Sequence, residues 1–287
     1  MSGTIDLGDV TLHYESAGEP GHPLAVLLHG FPDTSHTFRY LMPYLAGLGY
    51  HAVAPSMRGY APSSVATTGY STAALAHDAN RIHEALGGDS SAVLIGHDWG
   101  AATSYPALAT EPDRWRKAVT MAVPPLALMA QAFMTYEQLQ NSWYMFFFQS
   151  PLADFVVGLN DLDFIEHLWS EWSPGYDASE DLAHVRQALG DPAHLSAALG
   201  YYRAMFAEPS AAPEHAAYIA NQARVPDTPV LYLHGAQDGC IAPWVAESSL
   251  DHLAVGSEMH VIDHAGHFVH LEQVDEVHHL IGEFLGR

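Results

Sequence analysis

Five residues, Gly96-His97-Asp98-Trp99-Gly100, have the spacing of a reactive side chain set on a sharp turn between two glycines. The apolar run Ala92 to Ile95 leads in and Gly100-Ala101-Ala102 leads out, so the turn joins a buried strand to a helix. In a G-x-nucleophile-x-G turn the glycines let the helix approach the strand closely, and the middle residue is held in a strained conformation. Serine commonly stands there; here Asp98 does, and no G-x-S-x-G occurs in the chain. The chemistry shifts from acyl transfer by a hydroxyl to attack on carbon by a carboxylate. With a helix N-terminus beneath it, that carboxylate needs no prior loss of a proton.

Such an attack leaves the substrate esterified to the protein, and the ester must then be hydrolysed. Water needs a general base, and the base needs an orienting acid. His267 in DHAGHFVHLE and Asp238 in HGAQDGC supply both, in the chain order nucleophile, acid, histidine. Asp-Gly is also a common turn pair, and a lone Asp after a strand is often a helix cap. The flanking glycines and the matching partners downstream favour the catalytic reading. HGFPD, residues 29–33, follows another strand, and the N–H groups of Phe31 and Trp99 would form an oxyanion hole for a tetrahedral intermediate. The spacing of His264, His267 and His270 could suggest zinc, but in a chain with 20 histidines chance spacing is easy. Neither a metal nor an organic cofactor is implied.

These residues need a scaffold that brings distant strand ends together. Ala25–His29, His51–Pro55, Ala92–His97 and Lys117–Val123 are continuous apolar runs of the kind that form strands buried on both faces. Segments with helical spacing lie between them, which predicts a mostly parallel sheet flanked by helices, with an antiparallel hairpin around residues 4–16. From Pro125 to about Arg224 the strand signal stops, and the chain becomes helical and rich in aromatic residues. Strand runs resume at Pro229–Gly235 and Ser257–Asp263, and a last helix is expected from about Phe268 onward. The organisation is thus an α/β core, 1–124 and 226–287, interrupted by a helical cap, 125–225. Ligands of open α/β sheets bind beyond the carboxyl ends of the strands, where all four motifs fall.

Composition limits the partners. With 10 Lys+Arg against 33 Asp+Glu, the net charge of −23 disfavours nucleic acid and anionic membranes. The apolar run WYMFFF is far too short to span a bilayer, MSGTIDLGDV lacks a signal-peptide pattern, and the single Cys240 fits a reducing compartment. The cytoplasm is the expected location, and a monomer or homodimer the expected state.

The motifs together resemble the α/β-hydrolase fold and, within it, the epoxide hydrolases. The resemblance runs from LLHGFPDTSHTFRYLMPYLAGLGYHAVAPSMRGYAPSS through LIGHDWGAA to LHGAQDGC and AGHFVHLEQVDEV. It implies that Asp98 opens an epoxide while two cap tyrosines donate to the ring oxygen. WYMFFFQSP is similar to the first cap motif and points to Tyr144. ALGYYRAMF is similar to the second and points to Tyr202, with Tyr201 the neighbouring alternative. It further implies a small apolar epoxide and water as reactants, and His29, Pro32, Trp143 and Phe148 as substrate-binding residues. Haloalkane and haloacetate dehalogenases use the same nucleophile. The former usually carry Asn or Glu at the position of Phe31, and the latter typically place Arg where Trp99 stands. A non-catalytic ligand-binding protein of this fold is a third reading, and it commonly lacks a member of the catalytic set.

Overall fold

The computed structural model describes residues 1–209 and 212–286. Eight strands form one sheet: β1 (Ser2–Asp6), β2 (Thr11–Ala17), β3 (Leu24–Leu28), β4 (His51–Pro55), β5 (Val93–His97), β6 (Lys117–Met121), β7 (Val230–Gly235) and β8 (Glu258–Ile262). Their order is β1-β2-β4-β3-β5-β6-β7-β8. The first two strands run antiparallel to their neighbours, and every later pairing is parallel. Strands β3 to β7 are buried almost throughout because helices cover both faces, as their continuous apolar runs require.

Helices α1 (Leu41–Gly47), α2 (Thr72–Ala85) and α3 (Trp99–Thr110) alternate with the strands up to β6. The last helical segment is not continuous as the sequence suggests. It divides at Gln273, whose φ of −128° and ψ of 60° are not helical, into α12 (Val269–Glu272) and α13 (Val274–Gly286).

Between β6 and β7 the chain leaves the sheet and forms a helical insert. Its helices are α4 (Leu126–Ala132), α5 (Tyr136–Asn141), α6 (Trp143–Phe147), α7 (Ala153–Val157), α8 (Asp163–Trp172), α9 (Ser179–Leu189), α10 (Pro192–Met205) and α11 (Ala216–Asn221). The insert is bound to the core by specific polar contacts as well as by packing. The Trp169 indole donates to the Pro32 carbonyl at 2.8 Å, and Tyr201 Oη donates to the Arg58 carbonyl at 2.8 Å. Arg39, beyond β3, pairs with buried Asp181 of α9 at 2.6 Å. No helix among the described residues is long and apolar enough to cross a membrane.

The junction of β5 and α3 is packed backbone to backbone. A Cβ on Gly96 would collide with the Gly100 carbonyl group, and one on Gly100 with the Leu28 carbonyl oxygen. Helix α3 therefore lies directly against β3 and β5, and only hydrogen fits at these two positions. The change Gly100→Ala should destabilise the fold by about 3 kcal/mol or more, because backbone rather than a movable side chain occupies the space. Urea unfolding of purified variant and parent measures this; a difference under about 1 kcal/mol would mean that the helix shifts freely.

Candidate active site

Asp98 occupies the turn between β5 and α3 with φ 51° and ψ −115°, a positive φ that L-residues with a side chain rarely adopt. The strain aims the carboxylate away from its own helix, to which it makes no capping hydrogen bond. Instead, the Phe31 N–H donates to Asp98 Oδ1 at 2.7 Å. Gly30 permits this approach, since a Cβ there would run into the Asp98 side chain. Of the two oxyanion donors expected from sequence, Phe31 is thus hydrogen-bonded to the carboxylate, whereas Trp99 contributes no such bond from the first turn of α3.

His267 and Asp238 meet Asp98 from the loops after β8 and β7. Imidazole Nδ1 lies 2.9 Å from Asp238 Oδ2, and Nε2 lies 3.5 Å from Asp98 Oδ2. The second oxygen of Asp238 accepts from the Cys240 and Ile241 N–H groups at 2.8 and 3.0 Å. All three catalytic candidates are at least nine-tenths buried.

Burial alone would depress the pKa of His267, but the charges and hydrogen bonds of Asp238 and Asp98 overcome it and push the value up to about 10. Burial would raise Asp238, yet His267 beside it holds its carboxyl below the ordinary value.

Two of the insert's tyrosines reach this region. Tyr144, on α6, is fully buried with Oη 3.3 Å from Cys240 Sγ. Tyr202, on α10, lines the cavity above Asp98, and its buried hydroxyl lies beside the Trp99 and Tyr144 side chains without a well-aligned hydrogen bond to either. The two phenol rings stand 5.6 Å apart, edge to face. Both have pKa values raised well above the ordinary phenol, chiefly by burial and further by nearby groups that include Asp98. Tyr201 faces the other way, committed to the Arg58 carbonyl.

The four remaining expected residues do not line the cavity. His29 is a buried strut: Met57 N–H donates to its Nε2 at 3.0 Å, its Nδ1 bonds the Gly30 carbonyl, and burial lowers its pKa to about 4. Pro32 uses its carbonyl to anchor Trp169. Trp143 is 45% exposed and packs on Phe147 and Phe164. Phe148 is sealed behind the tyrosines, edge-on to Phe31, Tyr144 and Tyr202.

The walls come instead from Val123, Leu126, Met129, Met145 and Ile241, with Asp98 the only ionic side chain among the described residues.

The sequence reading also passed over the residues that hold His267 in place. Glu272 accepts from Gly266 N–H at 2.8 Å and Phe268 N–H at 3.1 Å, clamping the chain on both sides of the imidazole. The Trp172 carbonyl, at the end of α8, accepts from His267 N–H at 3.0 Å and Gly239 N–H at 3.2 Å. Behind the ring, His97 Nε2 lies 2.9 Å from the His267 carbonyl. An acid five residues after a candidate base was the one available signal, for Glu272.

Among the described residues, three side-chain groups stand close enough together to share an ion: Asp33-His97-His270, His36-Glu180-His184 and Asp238-Cys240-His267. In the last, Asp238 and His267 are already bound to one another.

Sheet order, the insert and the strained turn with its acid and histidine define an α/β hydrolase. A family pattern described as alpha/beta hydrolase fold matches residues 23–274, and the chain belongs to that family. Among its relatives, Epoxide hydrolase 4 of Homo sapiens is 29% identical over 283 residues, covering 95% of this chain and 75% of that protein. Epoxide hydrolase A of Mycobacterium tuberculosis is 36% identical over 157 residues, covering 52% of this chain and 48% of that protein. The solved structure of Bacillus megaterium epoxide hydrolase in complex with an inhibitor aligns with a TM-score of 0.83 at 25% identity, over 99% of this chain and all of that one.

Because two carboxylates lift His267, replacing Asp98 by Asn should lower the imidazole pKa toward the ordinary 6.5, while the parent stays cationic at pH 8. NMR titration of the ring resonances reads this directly; an unchanged titration would mean that Asp98 contributes nothing. The folded value exceeds the unfolded one, so this stabilisation is complete below about pH 6.5 and fades as pH rises toward 10.

Proposed function

We propose that the protein hydrolyses an epoxide to a 1,2-diol through an ester on Asp98. The observation that carries this reading is the Tyr202 hydroxyl, buried in the same cavity as the Asp98 carboxylate, with Tyr144 beside it. An Asp98 oxygen attacks one oxirane carbon and the ring C–O bond breaks, while the oxygen takes a proton from a tyrosine. An alkoxide is a far stronger base than an ordinary phenolate, so a phenol positioned at the ring oxygen can serve as its proton donor. The tyrosinate left by ring opening recovers a proton from His267; water then adds to the Asp98 ester carbonyl with His267 accepting one proton and returning it to the departing alkoxy oxygen, and water's second proton passes from the regenerated Asp98 acid back to His267. Asp238 keeps the imidazole oriented, and the Phe31 N–H faces the oxygen that becomes the oxyanion. The relatives named above support the same reaction by their own names.

Dehalogenation is the second reading, favoured only by Trp99, which lies beside Asp98 in the cavity wall. A haloacetate would bring its own carboxylate, yet among the described residues no Arg or Lys lines this cavity to receive it.

Parallel assays of diol formation from simple epoxides and of halide release from haloalkanes and haloacetates decide between the two. Diol without halide is expected; halide without diol would overturn the proposal. In the variant His267→Gln, alkylation should persist while hydrolysis stops, so intact-protein mass spectrometry should show substrate mass added to Asp98. Tyr202→Phe should slow ring opening by about 100-fold or more, the usual worth of a positioned acid; undiminished single-turnover alkylation would remove Tyr202 from the mechanism.

A further inference from the structure

The cavity at Asp98 is small, about 90 Å³. An apolar protein cavity of about 150 Å³ accepts benzene, so the space at Asp98 taken by itself is smaller than a phenyl ring needs. The cavity is not closed off, however. A second hollow of about 460 Å³ shares Thr72, Leu126, Met129, Phe133 and Met205 with it. Met129 is 7% exposed and Met205 42% exposed, so these side chains form a throat running from the interior to the surface between α4, α10 and the start of α2.

Among the described residues, the lining of the outer hollow carries no ionisable side chain; charged groups, Arg81 among them, begin only in a further hollow that adjoins it at Ser71, Ala204, Ala207 and Pro209. Ser71, Thr72 and Gln222 are its polar residues, and the remainder are apolar, in a chain with 10 cationic and 33 acidic residues. An uncharged hollow of this size on so acidic a protein matches an aliphatic tail. A terminal carboxylate would meet no cation among the described residues of this lining and would sit in the field of a −23 chain.

We propose, resting on the epoxide-hydrolase reading, that the substrate is a neutral epoxide bearing its oxirane at or next to the end of an unbranched apolar chain. The oxirane sits against Asp98, and the tail passes Met129 and Phe133 into the outer hollow. Thioether and benzyl side chains suit this role, because they line a narrow passage without fixing a particular tail length.

The test compares kcat/KM for diol formation across 1,2-epoxyalkanes of four to ten carbons, styrene oxide, stilbene oxide and an ω-carboxylated epoxide of matched length. The rate constant should rise roughly three- to fourfold per added methylene, the worth of one buried CH₂, until the tail fills the hollow. Styrene oxide, stilbene oxide and the carboxylated epoxide should fall at least tenfold below 1,2-epoxyoctane. Ala130, exposed on α4 at the rim of the hollow, provides the control. Ala130→Trp should flatten the chain-length dependence while leaving 1,2-epoxybutane turnover within about twofold. Equal or faster turnover of styrene oxide, a flat length series, or an unaltered series in Ala130→Trp would each overturn the inference and leave epoxide hydrolysis standing. Calorimetry of 1,2-alkanediols separates the two readings. If no epoxide yields diol but diol affinity still grows with chain length, the reaction is wrong and the tail site is right. If affinity does not grow either, both fall.

Discussion

An imidazole held between two buried carboxylates is the constraint around which this molecule is arranged. Three ionisable groups without solvent would be prohibitive if left unpaired, and even paired they need further donors to satisfy the remaining lone pairs. Those donors are backbone N–H groups at strand ends: Phe31 after β3 for Asp98, and Cys240 and Ile241 after β7 for Asp238. Parallel neighbours are what make this economical, because consecutive strands then deliver their carboxyl ends to the same edge. The strained backbone at Asp98 is the local cost. It is sustained because Gly96 and Gly100 let α3 settle against β3 and β5 with no side chain intervening.

The helical insert takes part in this arrangement as well as covering it. At the end of α8 the Trp172 carbonyl binds the loops of both His267 and Asp238, and the indole ring of the same residue lies edge-on to the imidazole at 5.1 Å. Gly239 and Gly266 allow that approach, since a Cβ on either would meet backbone of Glu171 or of Trp172 and Ser173. Gln138 of α5 adds a second tie, donating to the Cys240 carbonyl at 2.9 Å and accepting from Ala242 N–H at 3.0 Å. The loop that carries Asp238 is therefore braced from two helices of the insert. Position of the insert and geometry of the acid–histidine pair are coupled, so a displaced α8 would also move the base.

What was legible in the sequence follows from what each signal depends on. Strands buried on both faces write themselves as unbroken apolar runs, so β3 to β7 can be read within a residue or two. The turn at Asp98 is equally plain, because its glycines are demanded by backbone contact rather than by side-chain packing. Neighbours of a motif are another matter. Trp143 adjoins Tyr144 in the chain, but consecutive positions on a helix do not share a face, and Trp143 looks outward. The same rule separates Tyr201 from Tyr202: one faces the Arg58 carbonyl, the other the cavity. Glu272, Gln138 and the Trp172 carbonyl were invisible because their partners lie in backbone brought close only by tertiary folding. A helix break at Gln273 leaves no Gly or Pro to announce it.

The position of the imidazole also bears on the order of events in the proposed reaction. With both carboxylates ionised, His267 is held as a cation up to about pH 10, and a cation cannot accept a proton from water. In that state it serves the first step, pairing with the Asp98 carboxylate and keeping it poised at 3.5 Å. Conversion of Asp98 to an ester removes one of the two negative charges that sustain the cation, while burial continues to oppose it. The imidazole then gives its proton to the tyrosinate left by ring opening and becomes competent as a base when the ester requires hydrolysis. Diol release restores the Asp98 charge and the cation with it. On this account the nucleophile governs the protonation of the base through a single contact, and alkylation itself times the second step.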